Sequence, residues 1–145
     1  MKKVLLSAIS FALLTATACK KDDNTSTTAN QFTIGSNTYT ATSVLDNMSG
    51  FTVVDVNKGN GSMAFAFTGG TPKQDGEYTI VEGGGSANKV SVVAAEPASM
   101  KTYIVTSGTV SVKFNDGKVS IKMPNAAGKD VNANTAVQIS ADIHQ

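Results

Sequence analysis

From Phe32 to Ile143 apolar side chains recur at every second position in short runs, and Gly, Asn or Asp interrupts the runs every few residues. That period marks strands with one face in a core and one in water, and no sustained helical period competes with it. The clearest case is TVSVKFNDGKVSIKM, Thr109 to Met123. A two-residue turn at Asp116-Gly117 sets Phe114 opposite Val119, Val112 opposite Ile121 and Val110 opposite Met123, so every apolar residue shares one face. Lys113 with Ser120 and Ser111 with Lys122 share the other. Asp-Gly suits a turn that needs positive φ at both central residues, and a slip of one residue would destroy the agreement.

FTIGSNTYTA, Phe32 to Ala41, repeats the logic: a turn centred on Ser36-Asn37 sets Ile34 opposite Tyr39 and Phe32 opposite Ala41. Further strands are predicted near Phe51 to Val56, Ser62 to Thr68, Glu77 to Val81, Lys89 to Ala95, Thr102 to Thr106 and Thr135 to Ile143, with a single helical turn over Val44 to Ser49. The expected fold class is therefore all-β: an antiparallel meander of about ten short strands. Such a meander hides its edges either by packing as a β-sandwich, the favoured form, or by closing into a flattened up-and-down barrel.

The first 31 residues follow a different pattern. Met1-Lys2-Lys3 is a positive n-region, Val4 to Thr15 a short apolar run, and Ala16-Thr17-Ala18 are small residues suited to cleavage. The apolar run is well short of the roughly 20 residues a spanning helix needs. Residues 1–18 therefore read as a signal peptide, 19–31 as a tether through the polar NTSTTANQ, and 32–145 as a single antiparallel β domain. Cleavage after Ala18 is compatible with an ordinary secreted or periplasmic product that begins at an unmodified Cys19. The favoured reading makes Cys19 the lipidated residue of a lipobox.

The segment Cys19-Lys20-Lys21-Asp22-Asp23 resembles lipoproteins of the Bacteroidota type, in which the acidic pair after the lysine acts as a signal for display on the outer face of the outer membrane. What the resemblance implies is lipidation at Cys19, an export signal in Lys21, Asp22 and Asp23, and an outer-membrane address facing the exterior. Ala16 stands where that lipobox usually has Leu. Phe-Thr-Ile-Gly at 32–35, Asp75-Gly76-Glu77-Tyr78 and Ser107-Gly108-Thr109-Val110 look like small Bacteroidota surface lipoproteins of unassigned function, some with calycin-like barrels.

Composition agrees with that address. Cys19 is the one cysteine, so no intramolecular disulfide can form. Loss of residues 1–18 removes Lys2 and Lys3 and turns the formal charge from +1 to −1. With no arginine and scattered lysines, no nucleic-acid partner is expected.

Candidate chemistry is sparse. The one histidine, His144, is expected to fray at the C-terminus, which leaves no zinc site and no Ser-His or Cys-His pair. Asp75, Glu77 and Glu82 are the carboxylates a glycosidase could use. DVNKGNG, Asp55 to Gly61, fails as a calcium loop because Gly59 and Asn60 occupy ligand and turn positions and Ala66 falls where a glutamate is needed, so it reads as a hairpin loop. Gly83-Gly84-Gly85 precede a strand and read as a connector, as does TGGTPKQDG, Thr68 to Gly76. Tyr39, Tyr78 and Tyr103 are expected in or at the rim of the core.

The expectation is a non-catalytic surface module with no cofactor and no metal, held to a membrane by its lipid and binding a glycan or a protein through exposed residues such as Met48 or Met100. The alternative is a calycin-like carrier or inhibitor whose interior, lined by Phe65, Phe67, Val112 and Phe114, holds a small hydrophobic ligand. A carboxylate-dependent glycoside hydrolase comes third.

Overall fold

The period-two runs become eleven strands in the computed structural model, which describes residues 30–145. They are β1 (Gln31–Ile34), β2 (Asn37–Thr40), β3 (Ser43–Asn47), β4 (Gly50–Asp55), β5 (Gly61–Phe67), β6 (Gly76–Ile80), β7 (Lys89–Glu96), β8 (Lys101–Ser107), β9 (Thr109–Asn115), β10 (Lys118–Asp130) and β11 (Ala136–His144). One 3₁₀ turn, Pro97–Ser99, joins β7 to β8. The all-β expectation holds.

The strands form one sheet in the order β2-β1-β11-β10-β9-β6-β7-β5-β4-β3, with β8 also bridging β10 and β7. Its two ends, β2 and β3, are separated by only Ala41 and Thr42. The Ala41 N–H donates to the Asn30 carbonyl beside β1 at 2.7 Å, and the Thr42 N–H donates to the Val54 carbonyl of β4 at 3.0 Å. The β2–β3 segment therefore acts as one kinked strand, paired with β1 along its first half and with β4 along its second. That brings the ends of the sheet together around a single core, so few edge groups are left open.

Inside lie Phe32, Phe51, Phe65, Met63, Met123 and Ile139, all fully buried. Phe32 stacks on Tyr39 with centroids 5.1 Å apart, while Phe67 meets Phe51 and Tyr78 edge-on at 6.2 and 4.8 Å. These are the offset and edge-to-face geometries that aromatic quadrupoles favour.

The β9–β10 hairpin has the predicted register, with Phe114 opposite Val119 and Val112 opposite Ile121. Asp116 and Gly117 take φ of 50° and 77°, as that turn requires. Pairing stops at Ser111 and Lys122, one step short of the expected Val110 and Met123.

Four expectations about the strands need correction. The opening hairpin turns at Gly35-Ser36, one residue earlier than expected, so Phe32 faces Tyr39 and Ile34 faces Asn37. Gly35 adopts φ +59°, which makes it the natural turn residue, and a shift of two in the pairing keeps the same side chains inward. Val44 to Ser49 is a strand and turn instead of a helical turn, because β4 offers Val53 and Thr52 as partners for Val44 and Leu45.

The third correction is β10, which does not end with the predicted hairpin at Met123 but runs thirteen residues to Asp130. Between Met123 and Ala126 it carries one more residue than β11, so Pro124 sits in a bulge, where its missing N–H breaks no ladder bond. The extra residue moves the inward positions from Ile121 and Met123 to Ala126, Gly128 and Asp130. The fourth is that the meander is mixed: β6 pairs briefly in parallel with β7 through Thr79–Lys89 and Ile80–Val90.

Asn30 and Gln31, expected within the tether, belong to the folded domain: Gln31 opens β1 and the Asn30 side chain exchanges two 2.7 Å hydrogen bonds with the His144 backbone. His144 is accordingly not frayed. It lies in β11, with Nδ1 3.0 Å from the Ser120 hydroxyl and Nε2 3.0 Å from an Asp142 carboxylate oxygen.

Candidate functional site

Alternation along β7 puts Val90, Val92 and Ala94 in the core, and the next inward position is Glu96. This carboxylate is only 7% exposed. Burying a charge is unfavourable unless hydrogen bonds replace its water. Here the Tyr39 hydroxyl and, at 2.7 Å, the Asn37 amide donate to Oε1, and the Tyr103 hydroxyl donates to Oε2 at 2.8 Å. The three donors come from two strands, Asn37 and Tyr39 from β2 and Tyr103 from β8.

Pro97 fixes the backbone directly after Glu96 and forces the chain to turn. Met100 closes that turn at φ 52°, its N–H donating to the Pro97 carbonyl at 3.0 Å. The turn returns Lys101 opposite Glu96 in the β7–β8 ladder. On the other side, Asp55 ends β4 by accepting the N–H groups of Asn57 and Lys58, both at 3.0 Å, and of Thr40 at 2.8 Å, which ties the β4–β5 loop to β2. Asp130 ends β10 in the same way, accepting from Asn132 and Ala133 at 2.8 Å.

Between these turns lies a surface cleft of about 430 Å³, walled by Asn37, Tyr39 and Lys58 on one side and by Glu96, Ser99 and Lys101 on the other. Gly61 lies so close to the Tyr39 ring that any Cβ there would overlap it. The Lys58 ammonium sits 5.0 Å above the same ring and donates to the Thr38 carbonyl at 2.8 Å.

Burial pushes the Glu96 carboxyl up, but the bonds from Tyr39, Tyr103 and Asn37 and the nearby charge of Lys101 outweigh it, so the group sits below the ordinary glutamate range. The tyrosines move the opposite way. Burial first and then the bond to Glu96 raise Tyr103 to about 12, and the same causes raise Tyr39 further. Asp55 is lowered chiefly by the Thr40 N–H and Asp130 chiefly by the Ala133 N–H.

These shifts predict a stability plateau. For carboxylates lowered in the fold, the stabilisation is complete above their unfolded pKa of about 4 and is lost as pH falls through the lower folded value; for raised tyrosines it is complete below about 10 and is lost as pH rises beyond that. The urea midpoint, followed by tyrosine fluorescence, is expected to be level from about pH 5 to 9 and to fall on both sides. A midpoint that kept rising below pH 4 would remove the ionised Glu96 from this account.

Cys19, Lys21, Asp22 and Asp23, the residues expected to carry lipidation and export, lie outside the described residues. Asp75, Glu77 and Glu82 do not assemble into a site. Asp75 accepts from the Phe114 N–H at 2.8 Å and pairs with Lys113 at 2.9 Å, both of which hold its carboxyl down where a general acid needs it raised. Glu82, past the far end of β6, pairs with Lys129 at 3.0 Å. None of the three lines any of four surface clefts of about 430 to 630 Å³, nor do Phe65, Phe67, Val112 or Phe114. Phe65, Phe67 and Val112 are packed in the core, with Phe114 against it. Met48 and Met100 are 97% and 86% exposed but stand in turns at opposite ends of β4, β5 and β7.

Sequence reasoning missed Glu96. The signal was present, since the alternation Val90-Val92-Ala94 runs on into it, but the predicted strand stopped at Ala95. Among the described residues no group of three or more His, Cys, Asp or Glu is placed to hold a metal ion, and no helix is long and apolar enough to cross a membrane.

The arrangement defines an all-β domain with a polar cleft over a buried carboxylate. Comparison with known proteins returns no match: no family model fits the chain, and neither a curated protein nor a solved structure matches it.

Proposed function

We propose that the protein is a lipid-anchored, non-catalytic binding module that takes its ligand in the cleft over Glu96. The observation that carries the binding role is the convergence of a buried carboxylate and two lysine ammonium groups on one open cleft, while Asp55 and Asp130 are tied into turns and Asp75 and Glu82 into surface ion pairs. The Ser99 hydroxyl in the lining donates to the Glu96 backbone carbonyl at 3.1 Å instead of to a base, and the Glu96 carboxyl is held as an acceptor instead of being raised to act as an acid.

The address rests on sequence: the signal segment, Cys19 at its junction, and Lys21-Asp22-Asp23 after it. Several acyl chains on Cys19 hold a domain stably to a bilayer, since each buried methylene contributes about 0.8 kcal/mol. On this reading the partners are the membrane, through the lipid, and an extracellular ligand.

The test is expression in a Bacteroidota host of the natural chain, Cys19→Ala, and the double variant Asp22→Ala/Asp23→Ala. The natural chain should take up labelled fatty acid and be cleaved by protease added to intact cells. The cysteine variant should lose the label, and the aspartate variant should keep it but resist the protease. An unlabelled natural chain released into the medium would make Cys19 an ordinary first residue and remove the anchor.

A further inference from the structure

We propose that the cleft over Glu96 binds a compact zwitterion carrying one ammonium and two carboxylates, the chemistry of a free acidic amino acid or of a short acidic peptide. The inference rests on the binding-module reading and names its ligand class.

The floor supplies one negative acceptor. A carboxylate offers about four acceptor positions. Three are used in Glu96, by Asn37 and Tyr39 on Oε1 and by Tyr103 on Oε2, which leaves one acceptor position on Oε2 in a residue that lines the cleft. The walls supply two positive groups. Lys58 has used one of its three N–H donors on the Thr38 carbonyl, and neither Lys58 nor Lys101 has a carboxylate within 4.0 Å among the described residues. The Asn37 amide and Ser99 hydroxyl add neutral polar groups to the same lining. A ligand that mirrors this set places an ammonium on Glu96 and a carboxylate towards each lysine.

Other ligand classes meet an unfavourable group. A simple dianion answers the lysines but leaves Glu96 without a counter-charge, and a simple diamine meets both lysines. A neutral sugar lacks its usual aromatic platform, because one face of Tyr39 is stacked on Phe32 while Lys58 lies over the ring and Gly61 presses against its edge. The cleft volume of about 430 Å³ falls within the range that holds small molecules.

The experiment is an amide NMR titration of the chain from residue 19 with Cys19→Ser, which keeps the whole core. The probes are L-glutamate, glycylglutamate, glutarate, cadaverine and maltotriose. L-Glutamate or glycylglutamate should shift the amides of Asn37, Gly59, Gly61 and Lys101 to saturation, and which of the two binds more tightly separates free amino acid from peptide. Glutarate, which lacks only the ammonium, should bind at least about tenfold more weakly. Lys101→Met, at an exposed position, should weaken L-glutamate about tenfold with the rest of the spectrum unchanged, and Glu96→Gln should abolish the preference over glutarate.

Glutarate binding as tightly as L-glutamate would overturn the zwitterion assignment. So would shifts at the cleft from maltotriose or cadaverine alone, although the binding-module reading would then survive with another ligand class. If none of the probes moved a cleft amide, the zwitterion inference would fall and the cleft would lose its standing as a site, while the lipid anchor, tested separately, would be untouched.

Discussion

Glu96→Ala is expected to destabilise the domain by about 2 to 4 kcal/mol, because two buried hydroxyls, those of Tyr39 and Tyr103, lose the acceptor that made their burial tolerable. Each unsatisfied buried donor costs on the order of 1 to 3 kcal/mol, and water entering through the cleft offsets part of that. Tyr39→Phe and Tyr103→Phe should each cost less, about 1 kcal/mol or slightly more, since Glu96 keeps its other partners. Because the three residues share one network, Tyr103→Phe should cost clearly less in a Glu96→Ala background than alone. Urea unfolding followed by circular dichroism measures all four variants. If Glu96→Ala lost under about 0.5 kcal/mol, the cluster would be a wet rim instead of a polar element of the core.

Gly50→Ala should be as damaging or worse, about 3 kcal/mol or more, for a backbone reason. Gly50 opens β4 at φ +156°, and a Cβ there would fall inside the contact radius of the Phe65 carbonyl oxygen and 3.1 Å from the Phe67 ring. Phe65 faces Phe51 across the β4–β5 ladder and is fully buried, so its backbone has nowhere to retreat. Gly84→Ala is the control: nothing lies within 4 Å of a Cβ at Gly84, and its φ is outside the left-handed region. That variant should unfold within about 0.5 kcal/mol of the natural chain. Equal losses in the two variants would mean that the Gly50 position is not the close approach described above.

These two predictions show how far the strand pattern can be followed from the sequence. Gly50 precedes an apolar run and reads there as an ordinary turn glycine; only pairing with β5 brings the Phe65 carbonyl against it. Glu96 is more legible, standing at the next inward position of an alternating strand. Its buried state could be inferred from parity, but the identity of its partners could not. Asn37, Tyr39 and Tyr103 lie 59, 57 and 7 residues away along the chain. The β7–β8 turn makes the Tyr103 contact local, but nothing local specifies that β2 should meet the end of β7.

Pro124 illustrates the opposite case, where the predicted hairpin ended short of the observed strand. A proline within a run normally ends a strand, and the predicted hairpin ended just before it. The bulge lets β10 continue and flips its inward face, which is how Asp130 reaches an interior position next to the Tyr103 strand. The opening hairpin was displaced for a milder reason: Gly35 and Asn37 flank Ser36, and both suit turns, so the run itself did not distinguish two registers that bury the same side chains.

Local pattern alone determined that this chain is all-β, where most strands begin and end, and the register of β9 against β10. Each of those depends on side-chain alternation and turn chemistry within a few residues. Closure of the sheet through the kinked β2–β3 segment, the parallel contact of β6 with β7, and the meeting of Asn37, Tyr39, Lys58, Glu96, Lys101 and Tyr103 were decided only by the tertiary structure. Apart from the β7–β8 turn that brings Lys101 and Tyr103 back to Glu96, these meetings follow from no local turn or alternation rule, and it is packing around the shared core that selects those neighbours.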